Sequence, residues 1–289
     1  MKICYLMLLH HKFDQALRLV SRLASSKSIF VFHVDSSADA ALAAAFRSKL
    51  ACLPAAPVHY AKSVHSAWGS YRQALAIMRC VQLACRYAAP CDRYLLLSGQ
   101  DYPIVDRAHI AEFFAQNPDK EFLEAFPQDV TDAGTRGWSP YYRFRRYHFW
   151  IANRRVALPL LRKGLPPLPV YHGSTWWALT RAAIEHLACQ FESNAALKRY
   201  LRTGFLVDEV YIPTILMASP FASKVTGQNV TYAEWTPTSG PHPKTLRMND
   251  LAALWGSPKL FARKFDDGVD GSVMDQLDVA AKANNAGAV

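Results

Sequence analysis

This 289-residue sequence has no apolar run of membrane-spanning length and no Cys-x-x-Cys pair. The first absence argues against a membrane-spanning helix, which needs about 20 consecutive apolar residues. The second argues against a structural zinc site, whose cysteine ligands come in closely spaced pairs. The six cysteines are scattered, so their spacing does not predict a disulfide framework either. The composition is that of a globular protein with a large core.

Acidic residues are fewer than basic ones, 23 against 33, which gives a formal net charge of +10. An excess of this size favours an anionic partner, which can be nucleic acid, a phospholipid surface or a phosphorylated substrate. The charge alone does not choose among the three.

The first residues, MKICYLMLLHHKF, have one early lysine and an apolar stretch, as a signal peptide does. The stretch ends at His10-His11-Lys12 without a small-residue cleavage site, so we interpret residues 3–9 as a first core strand. Without an export signal we expect a cytoplasmic protein. Its positive charge adds peripheral contact with the anionic inner face of the membrane as a further expectation.

Strand and helix patterns alternate through the first part of the chain. Apolar runs and helical spacing predict strands at 3–9, 29–34, 57–61 and 94–98, and helices at 13–24, 38–50, 67–87 and 106–116. Such alternation indicates an α/β protein with a mostly parallel sheet covered by helices on both faces. A further helix is expected after Arg181, running to Gly204. No linker divides the chain, so we predict one domain over 1–280 and a flexible tail over 281–289.

Polar residues follow two of the predicted strands. His33 and Asp35 lie at the end of the second strand, and Gln100 and Asp101 follow the fourth in LLLSGQDYPI. In parallel sheets, ligands bind at the carboxyl ends of the strands. We therefore predict that these four side chains bind a ligand. Turn formation is the alternative interpretation of the two aspartates.

Six segments, in order along nearly the whole chain, resemble one enzyme family. They are VFHVD (31–35), SAWGSYRQA (66–74), LLLSGQDYPI (95–104), HGSTWWALTR (172–181), DEVYIPTIL (208–216) and LFARKFD (260–266). Together they resemble the core-2/I-branching glycosyltransferases, a family that also includes the protein xylosyltransferases. The resemblance implies a GT-A-type fold, with a mostly parallel Rossmann-like sheet flanked by helices. It also implies an inverting transferase that uses a UDP-sugar donor.

The resemblance also divides the predicted domain. It implies a nucleotide-sugar-binding half over about residues 1–117 and an acceptor and catalytic half over 118–280. Golgi members of the family carry a membrane anchor, so this chain looks like a bacterial relative, and a surface polysaccharide is the expected acceptor. His33, Asp35, Gln100 and Asp101 become the expected contacts of the donor.

Inverting transfer needs a base that removes the proton of the acceptor hydroxyl group. We predict Glu209 as this base. Gly204 is expected to end the preceding helix and to place Glu209 near the start of the next, where the helix dipole favours a carboxylate by roughly 0.3–1 kcal/mol. The family's catalytic glutamate matches this position. The alternative is that Asp208 caps the helix and Glu209 only lies in its first turn.

No Asp-x-Asp motif occurs in the sequence, although most GT-A enzymes hold a metal ion with one. Two unit charges 4 Å apart attract by about 4 kcal/mol at a typical effective dielectric constant, so fixed cations can replace the metal. We predict that Arg263 and Lys264 do so without a cofactor, and the resemblance implies that Lys264 binds the pyrophosphate. Thr231 stands where relatives have a second phosphate-binding arginine, and Lys244 or Arg247 are candidates to replace it. A solvated surface pair is the alternative interpretation of Arg263 and Lys264.

The acceptor is expected at HGSTWW and at a later tryptophan. Ser174, Thr175, Trp176 and Trp235 are the predicted contacts, because tryptophan rings stack on sugars. One of the two adjacent tryptophans, Trp176 and Trp177, is expected to lie in the core instead. Xylosyltransferases carry an acidic residue at the position of Thr175, which counts against a peptide O-xylosyltransferase, the alternative we keep.

The donated sugar stays open among GlcNAc, xylose and glucuronic acid, with GlcNAc or xylose preferred. A hypothesis of another class is a non-catalytic module that binds nucleic acid, because RFRRYHFW (143–150) interleaves basic and aromatic residues. That module would not explain the polar strand ends or Glu209. We therefore expect a nucleotide sugar and a glycan acceptor as partners, and no nucleic acid.

Overall fold

The computed structural model describes residues 1–52, 56–87, 90–131, 139–237, 239–240 and 242–286. The strands are β1 (Ile3–Leu9), β2 (Ser28–Val34), β3 (Val58–Tyr60), β4 (Arg93–Ser98), β5 (Asp101–Pro103), β6 (Phe126–Pro127), β7 (Arg146–Ile151), β8 (Arg154–Leu161), β9 (Tyr171–His172), β10 (Ala178–Thr180), β11 (Thr231–Ala233) and β12 (Phe261–Arg263). The α-helices are α1 (Phe13–Leu23), α2 (Ala40–Ala51), α3 (Tyr71–Tyr87), α4 (Arg107–Gln116), α5 (Pro140–Arg145), α6 (Arg181–Ser193), α7 (Ala195–Leu201), α8 (Tyr211–Met217), α9 (Leu251–Trp255), α10 (Asp267–Asp270) and α11 (Ser272–Ala286).

The central sheet has the strand order β10-β4-β1-β2-β3. Strands β1 to β4 pair in parallel, and β10 joins β4 in the antiparallel sense. Strand β2 is buried along its whole length, as expected for a parallel strand covered by helices on both faces. The predicted α/β class with a mostly parallel, helix-flanked sheet is therefore confirmed, and the four predicted strands lie within a residue or two of their expected positions.

The core lies on both faces of this sheet. On one face Ala16, Leu19 and Leu23 of α1 pack against the strands, because their spacing puts them on one side of the helix. On the other face α3 contributes Ile77 and Val81. Helices therefore cover both faces of this sheet.

A second sheet, β11-β12-β5, lies beyond the end of β4. In its antiparallel β5–β12 pair, Arg263 lies opposite Asp101. The buried amide of Gln15 donates hydrogen bonds to the carbonyl groups of Gly99 at 2.8 Å and Phe265 at 3.1 Å. These contacts hold the segment after β12 against the end of β4, which is how Lys264 reaches the ligand side of the sheet.

The helix expected from Arg181 to Gly204 is two helices. Helix α6 ends at Ser193, and Asn194 then caps α7 by accepting a hydrogen bond from the backbone N–H of Leu197 at 3.0 Å. Asparagine favours this capping geometry over a helix interior, which explains the division.

Strands β7 and β8 form a hairpin that the sequence pattern did not predict. Its turn residues, Ala152 and Asn153, have φ angles of 47° and 63°. Positive φ at both turn residues suits a two-residue hairpin because it matches the twist of the strands. The arginine-rich stretch 143–150 therefore runs from the end of α5 into β7, the first strand of this hairpin.

The last helix, α11, continues to Ala286, and Ala281 is buried in the protein. Of the predicted flexible tail over 281–289, residues 281–286 are thus helical and 287–289 lie outside the described residues, and the flexibility of this tail stays a prediction. Within the described part of the chain, no helix is both long and apolar enough to cross a membrane. The division into two functional halves stays a prediction.

Candidate active site

A cavity of about 960 Å³ lies at the carboxyl ends of β1, β2 and β4. It brings together most of the predicted site residues from both halves of the chain. Those that line it are Asp35, Gln100, Ser174, Thr175, Trp176, Glu209, Trp235, Arg263 and Lys264. The strand-end position predicted for the ligand therefore coincides with the cavity.

Two predicted donor contacts, His33 and Asp101, do not line this cavity and are buried beneath it. The Nε2 atom of His33 accepts a hydrogen bond from the backbone N–H of Val64 at 3.0 Å, and burial lowers the pKa of this imidazole. Asp101 accepts a hydrogen bond from the N–H of Ser98 and lies 3.5 Å from the guanidinium group of Arg263. Both side chains are thus engaged with other parts of the protein and do not line the cavity, and their contact with the donor stays a prediction.

Asp35 lines the cavity but its carboxylate is already engaged. It accepts hydrogen bonds from the backbone N–H groups of Ser37 at 2.9 Å and Ser66 at 2.8 Å, and from both serine hydroxyl groups. Burial alone would raise the pKa of Asp35, but these hydrogen bonds outweigh it and lower the pKa to about 2. Asp35 therefore joins two loops at the cavity rim as a permanent anion.

Glu209 ends the 3₁₀ turn Val207–Glu209, and Val210 alone separates it from the start of α8 at Tyr211. This agrees with its predicted place near a helix start. Its Oε2 atom lies 2.8 Å from Nε2 of His172 and 4.0 Å from the guanidinium group of Arg143. The side chain is 29% exposed. Its position in the cavity wall makes one carboxylate oxygen available to a ligand while two basic side chains orient the group.

Asp208 does not cap the helix, so the alternative assigned to the Asp-Glu pair is wrong for this residue. Its Oδ2 atom accepts a hydrogen bond from the hydroxyl group of Thr175 at 2.8 Å. Burial, together with the neighbouring charge of Glu209, raises the pKa of Asp208 to about 7. Thr175, predicted to contact the acceptor, thus uses its hydroxyl group to hold Asp208.

The HGSTWW segment needs a glycine where it crosses another chain segment. A Cβ atom on Gly173 would lie 1.8 Å from the carbonyl oxygen of Glu124, so only glycine fits there. The carboxylate of Glu124 accepts hydrogen bonds from the N–H of Ser174 at 3.2 Å and from the amide of Asn229 at 2.9 Å. Sequence reasoning missed Glu124; its one signal was a carboxylate between the apolar residues of FLEAF.

Arg263 and Lys264 both line the cavity but in different ways. The guanidinium group of Arg263 is buried, lies 3.8 Å from the ring centre of Trp176 and faces Asp101. Lys264 is only partly buried, and its ammonium group has no hydrogen-bond or ion-pair partner within the described residues. Burial and the charge of Arg263 lower the pKa of Lys264. The ammonium group of Lys264 is therefore available to an anionic ligand. Arg263 instead packs between Trp176 and Asp101.

Several basic residues missed by the sequence reasoning share this cavity. His10 and His11 follow β1, with ring centres 3.9 Å apart, and His242 and Lys259 complete the group. Burial is the main cause that lowers the pKa of each of these four side chains, and the pKa of His10 falls to about 4. The imidazoles are therefore neutral hydrogen-bonding groups near pH 7.

Neither candidate for the missing arginine reaches the cavity. Lys244 pairs with Glu234 at 3.2 Å and Asp250 at 2.6 Å, and Arg247 is exposed elsewhere. Thr231 itself lines the cavity. The idea that Lys244 or Arg247 replaces the arginine therefore finds no support in this arrangement.

The tryptophans divide between core and cavity. Trp177 is buried in the core, which confirms that one of the adjacent pair is structural. One face of Trp176 covers Arg263, so this ring is partly used already. Trp235 lines the cavity and is 62% exposed. An indole in this position can stack on a sugar.

A family model now decides the identification: the Core-2/I-Branching enzyme model matches residues 3–254. The chain belongs to this family. Xylosyltransferase 2 of Bos taurus is 24% identical over 205 residues, covering 65% of this chain and 23% of the bovine protein. A beta-1,6-N-acetylglucosaminyltransferase of Ovis aries, beta-1,3-galactosyl-O-glycosyl-glycoprotein beta-1,6-N-acetylglucosaminyltransferase 3, is 22% identical over 304 residues, 96% of this chain and 66% of the sheep protein.

The chain is also similar to a plant protein and to a solved mouse structure. Beta-glucuronosyltransferase GlcAT14A of Arabidopsis thaliana is 25% identical over 202 residues, covering 67% of this chain and 43% of the plant protein. The crystal structure of mouse xyloside xylosyltransferase 1 gives a TM-score of 0.40 at 12% identity, covering 90% of this chain and 97% of that one. The predicted family is confirmed, whereas the chain spans only 23% of the bovine xylosyltransferase.

The described residues contain no cluster of three or more His, Cys, Asp or Glu side chains that could hold a metal ion. For this family member, turnover without a metal stays a prediction that rests on the absent Asp-x-Asp motif.

Proposed function

We propose that this chain is an inverting glycosyltransferase that moves a sugar from a UDP-sugar to a hydroxyl group of a glycan without a metal ion. The observation that carries the proposal is the pairing of two groups in one cavity. Glu209, oriented by His172, supplies a carboxylate. Lys264 supplies an ammonium group with no carboxylate partner among the described residues. This is the combination that a base and a leaving-group cation require.

At the carboxylate side, Glu209 accepts the proton of the acceptor hydroxyl group. The hydroxyl oxygen attacks the anomeric carbon from the face opposite the diphosphate, so one displacement inverts the configuration. Arg143 and His172 keep the carboxylate in one orientation by facing its Oε2 atom. General base catalysis of this kind contributes about 10²–10⁴-fold to the rate.

At the cation side, the bond between the anomeric carbon and the phosphate oxygen breaks, and its electrons pass to the diphosphate. Lys264 lies where this charge can be neutralised, and the neutral imidazoles of His10 and His11 can donate hydrogen bonds to phosphate oxygens. Stabilisation of developing charge by fixed groups is usually a large catalytic effect. A cation that is already in place can supply it without a metal.

The remaining lining residues suit the two substrates. The loops joined by Asp35 are the proposed nucleoside site, and Gln100 is a proposed donor contact. Trp235, Ser174 and Glu124 face the remaining volume and form the proposed acceptor site. The names of the relatives make xylose, GlcNAc and glucuronic acid the first donors to test.

The test is UDP release across UDP-xylose, UDP-GlcNAc and UDP-glucuronic acid, with the Glu209→Gln protein as the blank. We expect release above this blank with one of the donors. A thermal shift with UDP, compared with a single-stranded oligonucleotide, separates the alternative class. Stabilisation by the oligonucleotide alone would replace the transferase proposal with the nucleic-acid-binding one.

A further inference from the structure

The hairpin β7–β8 exposes an apolar surface that the transfer reaction does not use. Antiparallel partners lie on the same face, and the register pairs Phe149 with Val156 and Ile151 with Arg154. Exposed apolar side chains continue along β8. This hairpin surface consists of Phe149, Ile151, Val156, Leu158 and Leu160, whose exposed fractions run from 38% to 66%. Contiguous exposed apolar side chains of this kind mark an interaction site.

The opposite face of the hairpin is anchored to the protein. His148 is buried, and the indole N–H of Trp150 donates a hydrogen bond to the carbonyl oxygen of Trp68 at 3.2 Å. The guanidinium group of Arg155 lies 4.0 Å from the ring centre of Phe205. Because the inner face is fixed in this way, the outer apolar face is held toward solvent in an ordered position.

The segment that contains the hairpin carries side-chain charge of one sign. Residues 139–180 contain no aspartate or glutamate. The basic residues in the same range are Arg143, Arg145, Arg146, Arg154, Arg155, Arg162 and Lys163. Of these, Arg154, Arg155 and Lys163 are exposed, and Arg154 and Lys163 flank the apolar residues of β8 along the chain. The partner of this surface must therefore offer both apolar contact and negative charge.

An anionic bilayer meets both conditions better than the other candidates. A second copy of the chain would bring two positively charged faces together, which is unfavourable. Nucleic acid offers phosphates, but exposed isoleucine, valine and leucine side chains cannot stack on bases as aromatic rings do. Acyl chains bury aliphatic side chains, and anionic headgroups attract arginine and lysine next to them.

We propose that the β7–β8 hairpin docks on the surface of a membrane that contains anionic lipids. The hairpin surface enters the boundary between headgroups and acyl chains, and Arg154 and Lys163 face the lipid phosphates. The inner face of the hairpin touches Trp68, which lines the cavity, so docking holds the cavity close to the bilayer. This inference goes beyond the proposed reaction and does not depend on it.

Sedimentation of the full chain with vesicles tests the proposal. We expect binding to mixed phosphatidylcholine and phosphatidylglycerol vesicles, weaker binding to phosphatidylcholine alone, and weakening by salt. The charge variant Arg154→Glu with Lys163→Glu should lower the partition coefficient by at least about 25-fold, since each basic side chain near an anionic surface contributes about fivefold. The apolar variant Ile151→Ser with Leu160→Ser should lower it by at least about tenfold.

Matched controls change the same residue types on other exposed surfaces. Lys27→Glu with Lys282→Glu repeats the charge change, and Leu42→Ser with Val279→Ser repeats the apolar change. Both should bind vesicles more tightly than the corresponding hairpin variants. Circular dichroism verifies that every variant is folded.

Four outcomes would overturn the proposal. They are no binding to anionic vesicles, equal losses in hairpin and control variants, binding to a single-stranded oligonucleotide but not to vesicles, and self-association that the hairpin variants abolish. Loss in only one of the two hairpin variants would also contradict it, because the proposed contact needs both charge and apolar burial.

Discussion

The two sides of the cavity differ in how their charges are paired. Glu209 has donors beside it, with His172 at 2.8 Å and Arg143 at 4.0 Å. Lys264 has no ion-pair partner within the described residues, although Lys244 on the neighbouring segment has two. A base needs a fixed orientation, whereas a leaving-group cation needs a charge that nothing else neutralises. The contrast therefore assigns different tasks to the two sides.

The largest expected effect comes from removing the base. Glu209→Gln keeps the shape of the side chain but cannot take a proton at the same site. We expect kcat to fall by about 10²–10⁴-fold, while UDP still binds with near-normal affinity by calorimetry.

Glu185→Gln is the matched control for this change. Glu185 lies on α6 and, among the residues that the structure describes, forms its ion pair with Arg181 at the surface. Its loss should therefore leave kcat within about twofold, because surface ion pairs contribute little. A Glu209→Gln protein that turns over like this control would remove Glu209 from the mechanism.

The next largest effect is expected from removing the unpaired cation, Lys264. Lys264→Met should lower kcat by about 10²–10³-fold, the loss typical of one group that stabilises developing charge. It should also weaken UDP binding. Lys244→Met, which removes a lysine already paired with Glu234 and Asp250, should change kcat little. An equal fall of kcat in the two variants would show that the difference in ion pairing between these lysines does not affect catalysis.

A smaller effect concerns stability at the carboxylate side. The pKa of Asp208 is raised from 3.8 to about 7, so the folded protein holds a proton there that the unfolded chain has lost. Between these two values this group makes stability fall as pH rises, by at most about 1.4 kcal/mol per pH unit. Below pH 4 it contributes no dependence, and above its folded pKa the loss is complete.

Asp208→Asn should remove this contribution. Denaturant titrations from pH 4 to 8 should therefore show the variant gaining on the parent protein as pH rises. A constant difference across this range would mean that Asp208 is not protonated in the folded protein.

The smallest expected effect is that of metal removal. If Lys264 supplies the positive charge, EDTA should leave the rate of UDP release unchanged within about twofold, since no metal-bound group then takes part. Complete loss of activity in EDTA with recovery in manganese would contradict the role of Lys264, because a metal ion would then neutralise the charge of the leaving group.

Sequence reasoning located the central strands well and the small second sheet poorly. Strands β1, β2 and β4 are continuous apolar runs because helices cover both of their faces. Strands β5 and β12 have three residues each and pair across more than 150 positions of the chain. So short a segment carries no periodicity, and its partner depends on where the rest of the chain folds.

The site was predicted in the same uneven way. Glu209 and Lys264 were predicted from motif matches, and both line the cavity. His10 and His11 entered the sequence reasoning only as the end of an apolar stretch. Their place in the cavity follows from the position of β1 at the centre of the sheet.

By itself the sequence determined the α/β class, the family and the residue types available for acid–base work, because these depend on local apolar patterns and on motif order. Only the tertiary structure decided which charges remain unpaired. Arg263 became a supporting residue because β12 pairs with β5 and places Asp101 opposite it, whereas Lys264, the next residue, faces the cavity. The physical reason is that electrostatic pairing depends on distances between segments far apart in the chain, which the order of residues does not contain.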